Sequence, residues 1–500
     1  MAADFVLALD QGTTSSRAIV FDRHGRVAAA AQREYPQGYP MPGHVTHDPE
    51  DIWDSQLGVA REVLEAVPGG VAAIAALGIA NQRETTIVWD RASGEPVAPA
   101  IVWQSRITAG ACTALREAGH EDRVRSLTGL PLDAYFSGPK IAHILDETPG
   151  LRDRAEAGEL AFGTVDSFLV WRLTGGRVHV TDVSNASRTL LFDIRKGRWD
   201  PWLCELMRVP LALLPEVRPS SALLAESDPG LLGASLPISG IGGDQMAATF
   251  GQACLTPGMA KNTYGTGAFA LLNTGTAPVA SGHGLLSTVL WQLGDEGETV
   301  YALEGAVFVA GAAVRWLRDG LKAIASSEDV ERLASAGDRD AGVVVVPAFV
   351  GLGAPHWDPN ARGAILGLTF GTGLEDIALA TVDAMAYQVT DVLASMALDA
   401  GGEIGALRVD GGAAVNDALL QFQADILRVP VERPKVTETT ALGAAFLAGL
   451  ASGFWSSTDE LAATWQLDRR FEPKMERAQR DRALERWHRA VERSKGWAAG

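Results

Sequence analysis

Asp10-Gln11-Gly12-Thr13-Thr14-Ser15 ends the apolar run Phe5 to Leu9 in a carboxylate, a glycine and three hydroxyls. A tight turn of that composition can present backbone N–H and side-chain O–H donors to phosphate oxygens, while its Asp can hold a Mg²⁺ through its waters. A hairpin turn without a ligand is the plainer reading of the hexapeptide alone. Gly265-Thr266-Gly267 repeats the device in the second half, and two such turns would grip a nucleotide's phosphates from opposite sides of a cleft. Asp410-Gly411-Gly412-Ala413 follows the strand Ala406 to Val409 and precedes a helix starting near Asn416. Its paired glycines either let backbone approach a flat ligand or phosphate, or simply make a turn needing positive φ. Asn81-Gln82-Arg83-Glu84-Thr85-Thr86 gathers hydrogen-bonding side chains just after a buried strand, where small polar ligands bind in α/β folds; a solvated loop is the alternative. Trp103-Gln104, Tyr135-Phe136 and Phe269 lie near the ends of apolar runs, where core packing is the usual role of an aromatic. Asp244, in Gly242-Gly243-Asp244-Gln245, reads either as a general base or as the N-cap of a helix over Met246-Ala247-Ala248.

The rest of the composition narrows the chemistry. Lys and Arg total 43 against 61 Asp and Glu, a net charge of −18, which opposes a broad nucleic-acid or anionic-membrane surface and points to small molecules. None of the seven lysines precedes Ser or Thr, so the phosphate loop GxxxxGK[ST] is excluded and any nucleotide must be held another way. No full GxGxxG surrounds the paired glycines, which leaves a nicotinamide or flavin fingerprint unsupported. Cys112, Cys204 and Cys254 are too scattered for a disulfide framework or structural zinc, and fit a reduced cytoplasm. The nine histidines form no HxxxH or HExxH pair, against a catalytic zinc. No basic region precedes the first apolar run, so no signal peptide is expected. Ala441 to Trp455 is interrupted by Gly443, Gly449, Ser452 and Gly453 and is shorter than the roughly 20 residues a bilayer needs, so it reads as a buried, closely packed helix and no integral membrane segment is expected.

The elements that must position these residues are those of a mixed α/β protein. A length of 500 residues suggests two large domains. Phe5–Asp10 and Arg17–Asp22 read as a β-hairpin around the first turn. Asp48-Pro49-Glu50-Asp51 is a helix start, followed by Ile52, Leu57, Ala60, Val63 and Leu64 at helical spacing and then a strand near Ala75 to Ala80. Met259 to Leu271 repeats strand, Gly/Thr turn, strand. Beyond it, the run Val343–Val346 alternates with helical patterns over Leu374–Leu398 and Asn416–Leu427. Two halves with one grammar suggest an ancient duplication with its boundary near residues 245–255. Glu472 to Lys495 reads as an exposed terminal helix packed on the second half.

Taken together, these segments resemble the FGGY carbohydrate kinases of the actin-like, ribonuclease-H-like ATPase superfamily, over essentially the whole chain. The resemblance rests on Ala8 to Arg17, Asn81 to Thr86, Ile101 to Gln104, Tyr135 to Gly138, Gly243 to Gln245, Lys261 to Gly267 and Asp410 to Ala413. The Arg83-Glu84 hexapeptide with Trp103 resembles the glycerol-phosphorylating branch rather than the pentose or gluconate kinases. The resemblance implies two ribonuclease-H-like (actin-like ATPase) α/β domains, residues 1–250 and 251–500, flanking a nucleotide and substrate cleft. It implies ATP and Mg²⁺ as cofactors and phosphorylation of glycerol to sn-glycerol 3-phosphate as the reaction, the entry step of glycerol catabolism. By that resemblance Arg83, Glu84, Tyr135, Asp244 and Gln245 would bind glycerol's hydroxyls, and Trp103 and Phe269 would wall its carbons. Thr13, Thr14, Ser15, Arg17, Gly265 and Thr266 would hold nucleotide phosphates, with Gly311, Arg315, Gly412 and Asn416 completing the nucleotide site. Asp10 would organise the metal, Asp244 would accept the hydroxyl proton, and Arg17 would assist from beside the phosphates.

Departures from the family pattern are Pro139 and His143, from which packing consequences alone are expected, and Arg315 in place of Gln, free to engage a phosphate or an acid. Gly230 to Ser235 lacks the arginine of the loop through which related enzymes respond to fructose 1,6-bisphosphate, so weak or absent inhibition is expected. Arg83 and Arg17 are expected to make the cleft less acidic than the whole. A kinase of another small polyol or ketose, and a non-catalytic actin-like ATP-binding module, are the competing readings; the second would need no substrate set. The residues do not fix an oligomeric state, a homodimer or homotetramer being the candidates.

Overall fold

The computed structural model describes residues 3–326 and 329–498. The first half is built on a six-stranded sheet in the order Ser221–Glu226, Pro237–Gly243, Ile74–Asn81, Phe5–Gln11, Ser15–Asp22, Val27–Glu34. Phe5–Gln11 pairs antiparallel with Ser15–Asp22, closing the expected hairpin, and parallel with Ile74–Asn81. The expected strand near Ala75 to Ala80 is therefore central, which is why its residues Ala76 to Asn81 are buried without alternation.

One face of this sheet is covered by the helices Pro49–Ala66 and Val165–Leu173. The first starts where its sequence directs: the Asp48 side chain accepts from the Glu50 N–H, Pro49 opens the helix, and Ile52, Trp53, Val59, Ala60, Val63 and Leu64 line its buried side. Helices Asp244–Gly251 and Thr439–Ala451 cover the other face. They lie so close that a methyl group added at Gly251 would strike the Thr439 carbonyl, and one at Gly443 the Ala247 carbonyl.

The second half is built on a seven-stranded sheet in the order Leu286–Gln292, Thr299–Val307, Ala268–Gly275, Ala260–Tyr264, Leu407–Asp410, Val431–Pro434, Leu467–Phe471. In both sheets a strand, its hairpin partner and a third antiparallel strand stand beside parallel strands that arrive later in the chain. The repeated grammar of the sequence is thus repeated topology. Leu271, Leu290, Trp291 and Ala302 of the second sheet share a hydrophobic cluster with Val6, Phe21 and the two glycine-bearing helices, so those helices run between the sheets. Although Thr439–Ala451 lies in the chain between two strands of the second sheet, Val431–Pro434 and Leu467–Phe471, it packs on the first sheet.

Leu374–Ala400 has the length and hydropathy to cross a membrane, but it packs in the second half's core around Val382, Met385, Val389, Val392 and Leu393. The terminal helix is Arg477–Ser494, and it docks through the buried Trp487, which stacks on Tyr387 at 5.1 Å between ring centres.

Candidate active site

The first phosphate-type turn is stiff for an identifiable reason. The Gly12 N–H donates to the Ser15 carbonyl at 2.9 Å, and the Tyr35 hydroxyl lies 2.6 and 2.8 Å from the carbonyls of Gly12 and Thr13. The Tyr35 oxygen in turn accepts from the amides of Gln11 and Gln82 at 2.9 and 3.0 Å. Thr13 and Thr14 are left at least partly accessible, with Thr14 the most exposed, while Ser15 is buried and accepts from Gln32. Tyr35 was not among the sequence candidates; as a lone aromatic between polar residues it carries no signal of what it braces.

The second turn is anchored as firmly. The N–H groups of Ala310 and Ala312 donate to the Thr266 carbonyl at 2.9 and 3.0 Å, and the N–H of Gly311 to the Gly265 carbonyl at 3.1 Å. Gly311 has to be glycine at this approach, since a Cβ would sit 2.7 Å from that carbonyl oxygen. The Arg315 guanidinium donates to the Thr266 hydroxyl at 2.6 Å. Gly411 takes φ 85° against the Tyr264 backbone, whereas Gly412 is exposed and faces open space. Asn416 caps the helix Asp417–Leu427 by accepting from the Leu419 N–H at 2.9 Å.

The substrate candidates converge. Trp103 stands edge-on to Tyr135 at 5.7 Å and to Phe269 at 6.5 Å, an aromatic wall drawn from both halves. The Trp103 indole N–H donates to the Thr13 hydroxyl at 3.0 Å, which ties that wall to the first phosphate turn. Phe269 lies three residues beyond Thr266 on the second turn's own strand, so both turns border one cleft.

Arg83 pairs with Asp244 at 2.9 Å and with Glu304 at 2.7 Å. Glu84, held at φ 61°, pairs with Arg188 at 2.6 Å rather than with its neighbour. Asp244 does not cap its helix: Gly243 occupies the cap position, and Asp244 opens the helix with Oδ1 accepting from the Gln245 N–H at 2.7 Å. The Gln245 side chain accepts from Lys261, whose ammonium also donates to Thr263 at 2.8 Å. Burial pulls the Lys261 ammonium below its ordinary value, against the pull of Asp410 and Asp244. Lys140 is buried beside the changed Pro139 and donates to the carbonyls of Tyr135 and Glu84 at 2.7 and 3.3 Å, and burial lowers it to about 7. Glu304, Arg188 and Lys140 were not among the sequence candidates, and Lys261 entered only as the first residue of a family segment. For Glu304 the available signal is a charge inside an apolar run, Ala302-Leu303-Glu304-Gly305-Ala306.

Burial raises the Asp10 carboxyl to about 6; Arg17 opposes the shift and the charges of Asp244 and Glu438 add to it. A carboxylate so placed, near a second carboxylate and a turn of hydroxyls, suits a divalent cation that keeps most of its waters. Among the described residues there is no cluster of three metal-ligating side chains. Neither arginine expected to make the cleft less acidic than the whole stands there as a free cation. Arg17 pairs with Glu438 at 2.6 Å and lies 3.9 Å from Asp10, and Arg83 is paired twice.

The chain matches the FGGY family of carbohydrate kinases, its N-terminal domain over residues 5–251 and its C-terminal domain over residues 260–452. It is 58% identical to a glycerol kinase of Aromatoleum aromaticum, with 99% of each chain covered. To a glycerol kinase of Deinococcus radiodurans it is 57% identical, over 99% of this chain and 98% of that one. Its structure superposes on a Plasmodium falciparum glycerol kinase solved with ADP at a TM-score of 0.93 and 33% identity, covering 99% of this chain and 98% of the other. Braced Gly/Thr turns on matching sheets, an aromatic and ion-paired cluster between them, and kinship along the full length agree: the chain belongs to the FGGY family of carbohydrate kinases.

Proposed function

We propose that this protein is a glycerol kinase, transferring the γ-phosphoryl group of ATP to a terminal hydroxyl of glycerol to give sn-glycerol 3-phosphate and ADP. The observation that carries the reading is the pocket in which Arg83, Asp244 and Gln245 stand near the Trp103–Tyr135–Phe269 wall, with Trp103 bonded to Thr13 of the phosphate turn. Three hydroxyls on three carbons need several fixed polar partners and one apolar side. Asp244 has one oxygen occupied by Gln245 and Arg83, and it takes the hydroxyl proton on the other. The freed oxygen then bonds the γ-phosphorus as the bridge to ADP breaks.

Phosphoryl transfer asks chiefly for alignment and for donors placed around spread negative charge. Thr13, Thr14, Ser15, Gly265 and Thr266 supply such donors, and Arg315 adds a cation at Thr266. Arg17 exchanges Glu438 for phosphate when nucleotide enters. Gly311, Gly412 and Asn416 border the rest of the nucleotide. Mg²⁺, held through Asp10, would neutralise phosphate charge when bound. We further place the two domains at residues 1–250 and 251–500, with helix Thr439–Ala451 returning to the first as their joint. Three buried free thiols suit the cytoplasm.

The deciding experiment is purified protein with Mg·ATP and, separately, glycerol, dihydroxyacetone, xylulose and gluconate, following ADP release. A kcat/KM for glycerol well above the others is expected; equal turnover of all four, or of none, defeats the assignment.

A further inference from the structure

Five buried or half-buried charges run in one line through the pocket: Asp244, Arg83, Glu304, Arg188, Glu84. Arg83 spans Asp244 and Glu304 at 2.9 and 2.7 Å, and Arg188 spans Glu304 and Glu84 at 3.1 and 2.6 Å. The two ends and Arg83 are residues to which glycerol binding is ascribed above. The middle is Glu304, which lies on strand Thr299–Val307 of the second sheet, whereas Arg83, Glu84, Arg188 and Asp244 all belong to the first half. Glu304 and Arg188 are fully buried. Thr288, on the neighbouring strand of the second sheet, sits 3.5 Å from Arg188 and 3.1 Å from the Ser187 hydroxyl, so the second sheet holds this line at two points.

We infer that Glu304 is a positioning residue for substrate: from the nucleotide-side half it aims Arg83 and, through Arg188, Glu84 at glycerol. Three observations favour this over a role in stability alone. A buried ionic line is usually no more stable than well-packed apolar side chains of the same size, so its presence calls for a use in orientation. Burial would raise the Glu304 carboxyl, but Arg188 and Arg83 together outweigh burial and hold it at about 2, so both arms stay charged and paired. Finally, among the described residues Glu304 is the carboxylate that Arg83 and Arg188 share. Beyond the carboxylates, Arg83 reaches the Met246 sulfur at 3.7 Å, and Arg188 the Thr288 hydroxyl at 3.5 Å and the ring faces of Tyr135 and Phe136 at 5.6 and 5.4 Å. Shifting the second sheet against the first therefore moves the one group that aligns both guanidiniums. Glycerol binding and the relative placement of the two halves are coupled through Glu304.

The inference rests on glycerol being the substrate, and the test separates the two. Glu304→Gln keeps the shape and removes the charge. Each guanidinium then loses a charge-assisted partner, and the KM for glycerol is expected to rise about 10- to 150-fold. The KM for Mg·ATP, and ADP binding without glycerol, should stay within about twofold, a split that general destabilisation would not produce. Glu304→Asp keeps the charge but not the reach, and should fall between wild type and Glu304→Gln. A glycerol KM within threefold of wild type in Glu304→Gln, or glycerol and ATP constants rising in parallel, overturns the inference. Should Glu304→Gln lose ADP binding as well, Glu304→Asp decides: a wild-type glycerol KM there overturns it. No glycerol turnover by the wild-type protein would instead defeat the substrate reading itself.

Discussion

Replacing Asp244 by Asn separates substrate binding from proton removal, because of how this carboxylate is wired. Its Oδ1 accepts from the Gln245 N–H at 2.7 Å and faces Arg83 Nε at 2.9 Å, while Oδ2 accepts no hydrogen bond from a described residue. In Asp244→Asn the amide oxygen keeps both Oδ1 contacts. The amide nitrogen takes the place of Oδ2 and can only donate. Arg83 retains Glu304 at 2.7 Å, so its plane is still fixed. Glycerol affinity should then change by less than about tenfold, the loss expected when one charged partner becomes neutral. Base catalysis is worth about 10²–10⁴ in rate, which is about 2.7–5.5 kcal/mol on the barrier. The measurements are kcat from coupled ADP release at saturating glycerol and Mg·ATP, and the glycerol dissociation constant by calorimetry. A kcat lowered less than tenfold would show that the proton leaves by another route. A dissociation constant raised beyond a hundredfold with kcat kept would make Asp244 a binding group instead.

Gly443→Ala places a methyl against the Ala247 carbonyl between two helices that cannot separate without opening the shared core. It should cost about 1–3 kcal/mol and lower the melting temperature, and an unchanged melting temperature would contradict the close packing. Trp103→Phe keeps an aromatic wall but removes the donor to Thr13, so KM should rise about two- to tenfold for glycerol and for ATP together; a change in glycerol alone would mean that the link to the phosphate turn is idle. At the terminal helix, His488 donates to Asp391 at 2.9 Å, Trp487 donates to it at 2.7 Å, and His356 lies 3.5 Å away. The Asp391 bond raises His488 above its ordinary 6.5, so its contribution is full below about 6.5 and is lost as pH rises through the raised value. Burial would raise Asp391, but Trp487, His488 and the nearby His356 together outweigh it and hold it below 3.8; its contribution is therefore full above about 3.8 and is lost in stronger acid. Hydrogen exchange of Arg477–Ser494, corrected for intrinsic rates, should show protection relative to the core falling as pH rises above about 6.5. That fall should disappear in Asp391→Asn, and pH-independent protection in the wild type would refute the assignment.

What could be read from the sequence was local, and what could not be read was held at long range. The first hairpin, the Asp48-capped helix and the strand–turn–strand at Ala260–Gly275 were legible because each is specified by residues a few positions apart. Arg83, Glu84, Trp103, Tyr135 and Phe269 became candidates through the resemblance to the family, since on their own the polar hexapeptide reads as a solvated loop and each aromatic as core packing. Asp244 divided the readings, since a capping acid and a base occupy the same place in a strand–helix junction; the structure puts Gly243 at the cap, and the Asp244→Asn kinetics test the base. The cleft's charge could not be counted from the sequence at all. Arg17 meets Glu438, 421 residues away, and Arg83 meets Glu304, 221 residues away, so the arginines that looked free are neutralised by acids from the other half. The same distance explains why Glu304 was overlooked. Within its strand it is one acid among apolar residues, and it acquires a purpose only when the second sheet is laid beside the first. In a protein whose site is shared between two repeated halves, the groups that hold the halves in register are therefore the last to be legible, and the structure places Glu304 among them.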